Sequence, residues 1–285
     1  MGDVGQAGPV SGGGAWGAAA RVGRAARDLA RLVVPVECPG CGLLDEPWCD
    51  ACLRSLAGPV RRCEEDVPRL DRMDGVSPMP VWAVAAYTGP VRGFVVAWKD
   101  RGRVDLTRPV TAAARRAGVE VGGLLGGPGL TALDVVPVPT TSRARRRRGA
   151  DLVAGLADAV ADGLRDGGVP AERSGVLRRG AAVDQVGLGA RARARNATGF
   201  EVRRDVRGRL HLLVDDVVTT GATLAACTRV LERAGGLVLG AVVLAATPGP
   251  SADRTPVAGA ATRGLEPIRC DTPDALGPDG SGVSG

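Results

Sequence analysis

The sequence predicts an α/β fold: a largely parallel sheet with flanking helices, preceded by a small N-terminal four-cysteine module. Three features predict it. Short continuous apolar runs alternate with segments of helical periodicity from residue 80 to residue 247, the pattern of parallel strands joined by crossover helices. One of those runs, residues 210–214, leads into two carboxylates and a loop of small residues that opens a helix. Two C-x-x-C pairs stand upstream, between residues 38 and 52. A chain of 285 residues has room for one substantial domain and a satellite, at about 100–200 residues per domain.

Residues 1–20 are mostly Gly, Ala and short polar residues, which bury too little apolar surface to offset the entropy of ordering them, so a flexible tail is expected. Apolar positions over residues 21–34 form one face of a predicted helix leading into the cysteine module, residues 30–63, and a linker over 64–79 precedes the main domain, 80–247. PVWAVAAY, residues 80–87, has the content of a buried strand and ends in a Thr-Gly-Pro turn. Helices are expected over 91–99 and 106–117, and a strand over 133–138. Asp151 is placed to cap a helix through Leu164, because Leu152, Leu156, Ala159, Val160 and Leu164 recur at helical spacing. A strand over 210–214, a helix over 222–234 closed by Gly235 and a strand over 237–245 complete the sheet. Pro, Gly, Ser and Asp dominate residues 248–285, where a disordered tail is expected.

Composition narrows the function. Hydrophobic residues make up 45% of the chain but aromatic ones only 2%, so Val, Leu and Ala pack the core and few rings remain for a groove that stacks single-stranded DNA. The net charge of +6 comes almost wholly from arginine, Lys99 being the one lysine, and it suits an anionic partner. The longest apolar run, residues 236–246, falls short of the roughly 20 residues that a membrane-spanning helix needs. No secretory signal pattern is evident at the start, and the seven cysteines then favour metal or reduced thiols over disulfides in a cytoplasmic protein.

The segment LHLLVDDVVTTGATL, residues 210–224, carries the chemistry. Carboxylates at the carboxyl end of a parallel strand stand where open α/β sheets bind ligands, and a small-residue loop at a helix N-terminus offers N–H groups and hydroxyls to a phosphate. Thr219, Thr220, Gly221, Ala222 and Thr223 form that loop, and Gly221 permits close backbone approach. Asp215 and Asp216 can accept hydrogen bonds from vicinal ribose hydroxyls and favour positive charge developing on the sugar. The segment therefore reads as a holder of a phosphorylated ribose; the plainer reading is a strand end, a helix cap and a turn. The loop lacks the lysine of an ATP-binding Walker loop.

This segment resembles the phosphoribosyl pyrophosphate signature of type I phosphoribosyltransferases. With Tyr87 to Gly89, Lys99, PVPTTSRARRRRG over residues 137–149, Asp184 and Gln185, Arg191, Arg195 and Asn196, and Phe200, the chain resembles the ComF family, which includes competence-associated proteins, over about residues 35–247. The resemblance implies a parallel sheet with flanking helices and a variable hood. It also implies either transfer of a phosphoribosyl group to a nucleophile with Mg²⁺ assistance, or a non-enzymatic phosphoribosyl pyrophosphate or nucleotide sensor that works with DNA or DNA-uptake proteins. Family members usually continue the arginine-rich loop with Phe-Asn-Gln, where this chain has Ala150, Asp151 and Leu152.

Arg146 and Arg147 lie in a run of guanidinium groups beyond Pro139, which can clamp a leaving diphosphate through paired hydrogen bonds or form a solvated basic loop that attracts nucleic acid. Lys99 either reaches the diphosphate or lies exposed at a helix end. His211, alone inside an apolar strand, reads as structural. Cys38 and Cys41, then Cys49 and Cys52, form C-x-x-C pairs separated by seven residues, a spacing that places four thiolates around a structural zinc ion and organises a segment too short to fold on its own core; a redox dithiol is the rival reading.

Overall fold

The computed structural model describes residues 36–70, 78–126, 130, 132–140, 151–180 and 199–249. Of two compact units, Met1–Pro248 and Gly249–Gly285, the first holds every element named below. Both expected tails, the helix over 21–34, Arg146 and Arg147, and the landmarks from Asp184 to Asn196 lie outside the described residues, apart from the start of the C-terminal tail.

Six strands form the main sheet, in the order β1 (Arg61–Arg62), β2 (Val81–Ala86), β8 (Leu237–Ala246), β7 (Leu210–Val218), β3 (Leu133–Pro137), β4 (Ala171–Arg173). All neighbours run parallel except β1, which pairs antiparallel with β2. The strands with buried faces on both sides read as apolar runs: Val81 to Ala85 and Ala241 to Ala246 are buried throughout, as crossover topology demands. β5 (Leu177–Arg179) and β6 (Phe200–Val202) make a separate antiparallel pair.

Helices α2 (Gly89–Asp100), α3 (Thr107–Leu125) and α4 (Leu152–Asp166) lay Phe94, Val110, Ala117, Leu156 and Val160 into a core that also takes Leu212, Val214, Val242 and Leu244. Helix α5 (Ala222–Arg233) and the β5–β6 pair close a second core on Leu213, Val243 and Val136. Helix α3 starts after a 3-10 turn at Val104–Leu106 and continues past the expected end at residue 117, because its Val121 is buried in the same core as Leu164 of α4; packing overrides the low propensity of its glycines. Asp151 caps α4 as its position predicts, its carboxylate accepting from the Ala154 N–H at 3.3 Å.

Strand β7 outruns the expected 210–214 by four residues, through Val218. Its ladder with β8 runs on to Val218 opposite Ala246, so both carboxylates lie within a paired strand. β1, β4, β5 and β6 have two or three residues each and are rich in Arg and Glu, too short for an alternation signal. At the amino ends of β3 and β7, buried Asp134 takes a bidentate Arg209 (2.8 and 2.6 Å) and faces fully buried His211 at 3.4 Å. Burial lowers the His211 pKa, so the imidazole is neutral and structural, as its sequence context suggests.

Candidate functional site

β7 is the strand at which the chain changes direction across the sheet: β3 leads outward to β4, whereas β7 leads through α5 to β8 on the other side. Open α/β sheets bind ligands in the crevice at such a switch point, beyond the carboxyl ends of the strands. The loop after β7, with Thr219 and Thr220 exposed, borders that crevice.

The pleat gives Asp215 and Asp216 different surroundings. Asp215 sits opposite Val243, in the core closed by α5, while Asp216 shares its face with the α2 side and meets Lys99, Nζ to Oδ2 2.6 Å. Asp216 is 4% exposed and its Oδ1 also accepts from the Val217 N–H at 2.8 Å. Half-buried Asp215 accepts from the Asp216 N–H at 2.8 Å. Burial first, then the charge on Asp216, push the Asp215 carboxyl up to about 8. Asp216 thus has a direct ion-pair partner in Lys99, while the Asp215 carboxyl beside it is held protonated near neutral pH.

Gly221 opens α5 in the left-handed region, φ 77°, where an L side chain is strained. A second constraint acts there: a Cβ on Gly221 would stand 2.3 Å from Val67 Cγ1 and 3.0 Å from Leu70 Cγ. The Arg69 N–H donates to the Thr220 carbonyl at 2.9 Å, and buried Val67 and Leu70 anchor that segment. The Thr220 hydroxyl accepts from the Ala222 N–H at 3.4 Å. Beside the first turns of α5 opens a cavity lined by Pro68, Arg69, Ala222, Ala225 and Arg229. Two guanidinium groups therefore stand on the flank of this loop. The strap formed by Val67 to Leu70 is the element that sequence reasoning missed, since it lies in the stretch read as linker; two apolar residues spaced three apart in a polar stretch were its only signal.

The four cysteines come together in the other site. Cys49 precedes α1 (Asp50–Arg54), and the Sγ atoms of Cys38, Cys41, Cys49 and Cys52 all lie within 4.8 Å of one another. Cys38 to Cys49 is 3.8 Å and Cys41 to Cys49 is 3.6 Å, with all four thiols unbridged. A tetrahedral ion about 2.3 Å from each thiolate spaces its sulfurs about 3.8 Å apart, so an all-sulfur donor set at these separations fits zinc. Burial opposes a charged Cys38, but backbone hydrogen bonds from Cys49, Cys41 and Gly40 outweigh it and bring that thiol down to about 7. Burial pushes Cys52 up; a cation among the sulfurs would offset that cost.

Sequence reasoning thus named residues that the structure gathers in two places, Lys99 with Asp215, Asp216 and residues 219–223, and the four cysteines, while Arg146 and Arg147 lie outside the described residues.

The fold and this strand-and-loop define a phosphoribosyl transferase domain, and the profile of that domain matches residues 154–272. The DNA utilization protein YhgH of Salmonella typhimurium is 32% identical over 222 residues, covering 77% of this chain and 86% of that one. The chain belongs to the ComF family of phosphoribosyltransferase-like proteins. It is also similar to the adenine phosphoribosyltransferases of Mycobacterium avium, 38% identical over 114 residues, and Mycobacterium tuberculosis, 36% identical over 115 residues. Those matches take in 37% of this chain and 61% and 52% of the two enzymes, so the chain spans a little over half the length of these relatives. Among the described residues no helix is long and apolar enough to cross a membrane.

Proposed function

We propose that the protein binds phosphoribosyl pyrophosphate at the end of β7 and transfers its phosphoribosyl group to a nucleophile. The observation that carries this reading is the joining, at a switch point, of the Asp215–Asp216 pair to a phosphate-type loop whose glycine is locked at positive φ. The N–H groups of Thr219, Thr220, Gly221, Ala222 and Thr223 hold the 5′-phosphate at the start of α5. Asp215 accepts from the ribose hydroxyls, and Asp216 stabilises positive charge that develops on the sugar. Arg146 and Arg147 steady the diphosphate, with Lys99 near enough to contribute once ligand competes for its ammonium. In the reaction the bond from C1′ to the diphosphate oxygen breaks, its electron pair leaves with diphosphate, the nucleophile's lone pair closes on C1′, and the nucleophile's proton passes to solvent or product. Magnesium bound with the ligand would neutralise diphosphate charge, and Asp215, its proton displaced by the cation, would be an oxygen donor that suits such a hard cation.

The four-cysteine cluster holds a structural zinc ion in this reading, and unbridged thiols suit a reducing, cytoplasmic compartment. A second reading draws on the relative that covers most of the chain, a DNA utilization protein: the same pocket senses phosphoribosyl pyrophosphate or a nucleotide without turnover, and the protein assists DNA uptake through DNA or an uptake protein.

Calorimetry with Mg²⁺ and, in turn, phosphoribosyl pyrophosphate, ribose 5-phosphate and diphosphate tests the pocket, and mass spectrometry with candidate bases and amines tests transfer. Binding of phosphoribosyl pyrophosphate is expected, and Arg146→Ala with Arg147→Ala is expected to weaken the diphosphate-bearing ligands more than ribose 5-phosphate. Equal weakening of all three would misplace the arginine loop. Binding without product, together with salt-dependent DNA affinity altered by the ligand, would favour the second reading; no binding of any ligand would reject both.

A further inference from the structure

Helix α2 carries Lys99 on its last turn, and the cysteine module grips that helix at both ends. At the first turn the backbone of the leading knuckle lies directly on it: a Cβ on Gly93 would stand 1.9 Å from the Pro39 carbonyl oxygen, and one on Gly40 would stand 3.0 Å from Pro90 Cβ. No side chain larger than hydrogen fits at Gly93 without prising the two apart. Beyond the last turn Arg103 reaches back into the module. Its Nη1 donates to the Glu37 carbonyl at 3.2 Å and its Nη2 to the Pro47 carbonyl at 2.9 Å, one residue before Cys38 and two before Cys49. Asp105 fixes the same guanidinium, Nε to Oδ1 2.9 Å and Nη2 to Oδ2 2.7 Å. The Arg103 backbone N–H donates to the Ala97 carbonyl at 3.1 Å, tying this residue to the end of α2. A planar guanidinium with its donors in a fixed fork can span two carbonyls and a carboxylate at once, which an ammonium cannot.

Between those two grips lies Lys99, whose Nζ meets Asp216 at 2.6 Å. Buried Cys38, Cys52 and Leu56 of the module share one core with Phe94, Val95 and Trp98 of α2, so a shift of the module moves the helix with it. A second arginine holds the module's far end on α3, Arg116 donating to the Leu56 and Gly58 carbonyls at 2.5 and 2.6 Å. Arg103 is the contact that bears on the helix end carrying Lys99.

We propose that the four-cysteine module is a positioning element for the ligand site, and that Arg103 is the positioning residue through which it sets Lys99 against Asp216. The proposal rests on the reading of the β7 pocket as the phosphoribosyl pyrophosphate site. The module would then tune affinity at β7 without touching the ligand, and loosening it would free Lys99 from the carboxylate pair.

Because Lys99 is the one lysine in the sequence, protein labelled with ¹³C at lysine Cε gives a single side-chain signal that reports the ion pair with no ligand present. Asp216→Asn marks the unpaired position of that signal. Arg103→Ala, with its zinc content measured, is expected to move the signal towards that position. It should also weaken Mg²⁺–phosphoribosyl pyrophosphate by about threefold to tenfold, the size of a lost hydrogen bond or two, and the loss should vanish when Arg103→Ala is made in a Lys99→Met background. An unmoved lysine signal, or a loss of equal size in the Lys99→Met background, would overturn the proposal. Should Arg103→Ala fail to fold by circular dichroism, Arg103→Lys carries the same test, since an ammonium cannot bridge both carbonyls. If the wild-type protein binds no phosphoribosyl pyrophosphate, the ligand reading fails, and the lysine signal by itself still decides the positioning role.

Discussion

The cysteine module and the β7–α5 loop are built on opposite plans. All the candidate ligands of the first come from Cys38 to Cys52, and their sulfurs lie within 4.8 Å of one another. The second is assembled from distant pieces: two carboxylates on β7, an ammonium from α2, and a strap from Val67 to Leu70 laid over Gly221. A self-contained site depends on one bonded centre, so it should fail abruptly. An assembled site spreads its dependence over several weak contacts, so it should degrade by degrees and with pH.

The largest effect should come from breaking the self-contained side. Cys52→Ser removes the sulfur of a residue that is 3% exposed, and loss of stoichiometric zinc with destabilisation of more than about 3 kcal/mol is expected. The loss should extend into α2 and α3, because Cys52 shares their core. Metal analysis and urea unfolding check this; full zinc content in the purified variant would reject the four-thiolate site.

On the assembled side, the Lys99–Asp216 pair should respond unequally to its two halves. The Asp216 side chain is 6% exposed and that of Lys99 is 32% exposed, so removing the ammonium strands a buried charge, whereas removing the carboxylate strands one that water reaches. Lys99→Met should cost about 2–3 kcal/mol and Asp216→Asn about 1 kcal/mol. Equal costs in urea unfolding at neutral pH would show that burial does not separate the partners.

The most discriminating effect concerns Asp215. Its folded carboxyl, raised to about 8, keeps a proton that the unfolded carboxyl, near 3.8, has released. The folded state therefore binds more protons through that window, and stability falls as pH rises from about 4 to about 8. Asn has no such proton to lose. Asp215→Asn should gain on the wild type across that range by on the order of 1–2 kcal/mol, after discounting for a half-exposed group, and level off above it. A gain that does not change with pH would place the carboxyl in its ordinary range.

Much of this was legible in the sequence, and for identifiable reasons. Apolar runs such as residues 133–138 and 237–245 mark buried parallel strands because such strands are covered on both faces, and the structure places β3 and β8 there. The cysteine spacing was legible because knuckle geometry is local, and the Asp-Asp-x-x-Thr-Thr-Gly order because a strand, turn and helix start are contiguous in the chain. Residues 210–214 showed only part of a strand, since two carboxylates look like an end until a partner strand pairs beyond them.

What the sequence by itself determined was the alternation that makes a parallel sheet, the clustering of four cysteines and the small-residue loop that opens α5, all set by residues within one turn, strand or short segment of each other. The tertiary structure alone decided that Asp215 and Asp216 have different neighbours, that Lys99 serves one of them, that Val67 to Leu70 strap the loop, and that Arg103 ties the module to α2. These pairings join residues far apart in the chain. Their cost is loop closure and desolvation, settled by the packing of the whole sheet and its helices, and no local pattern of residues records it.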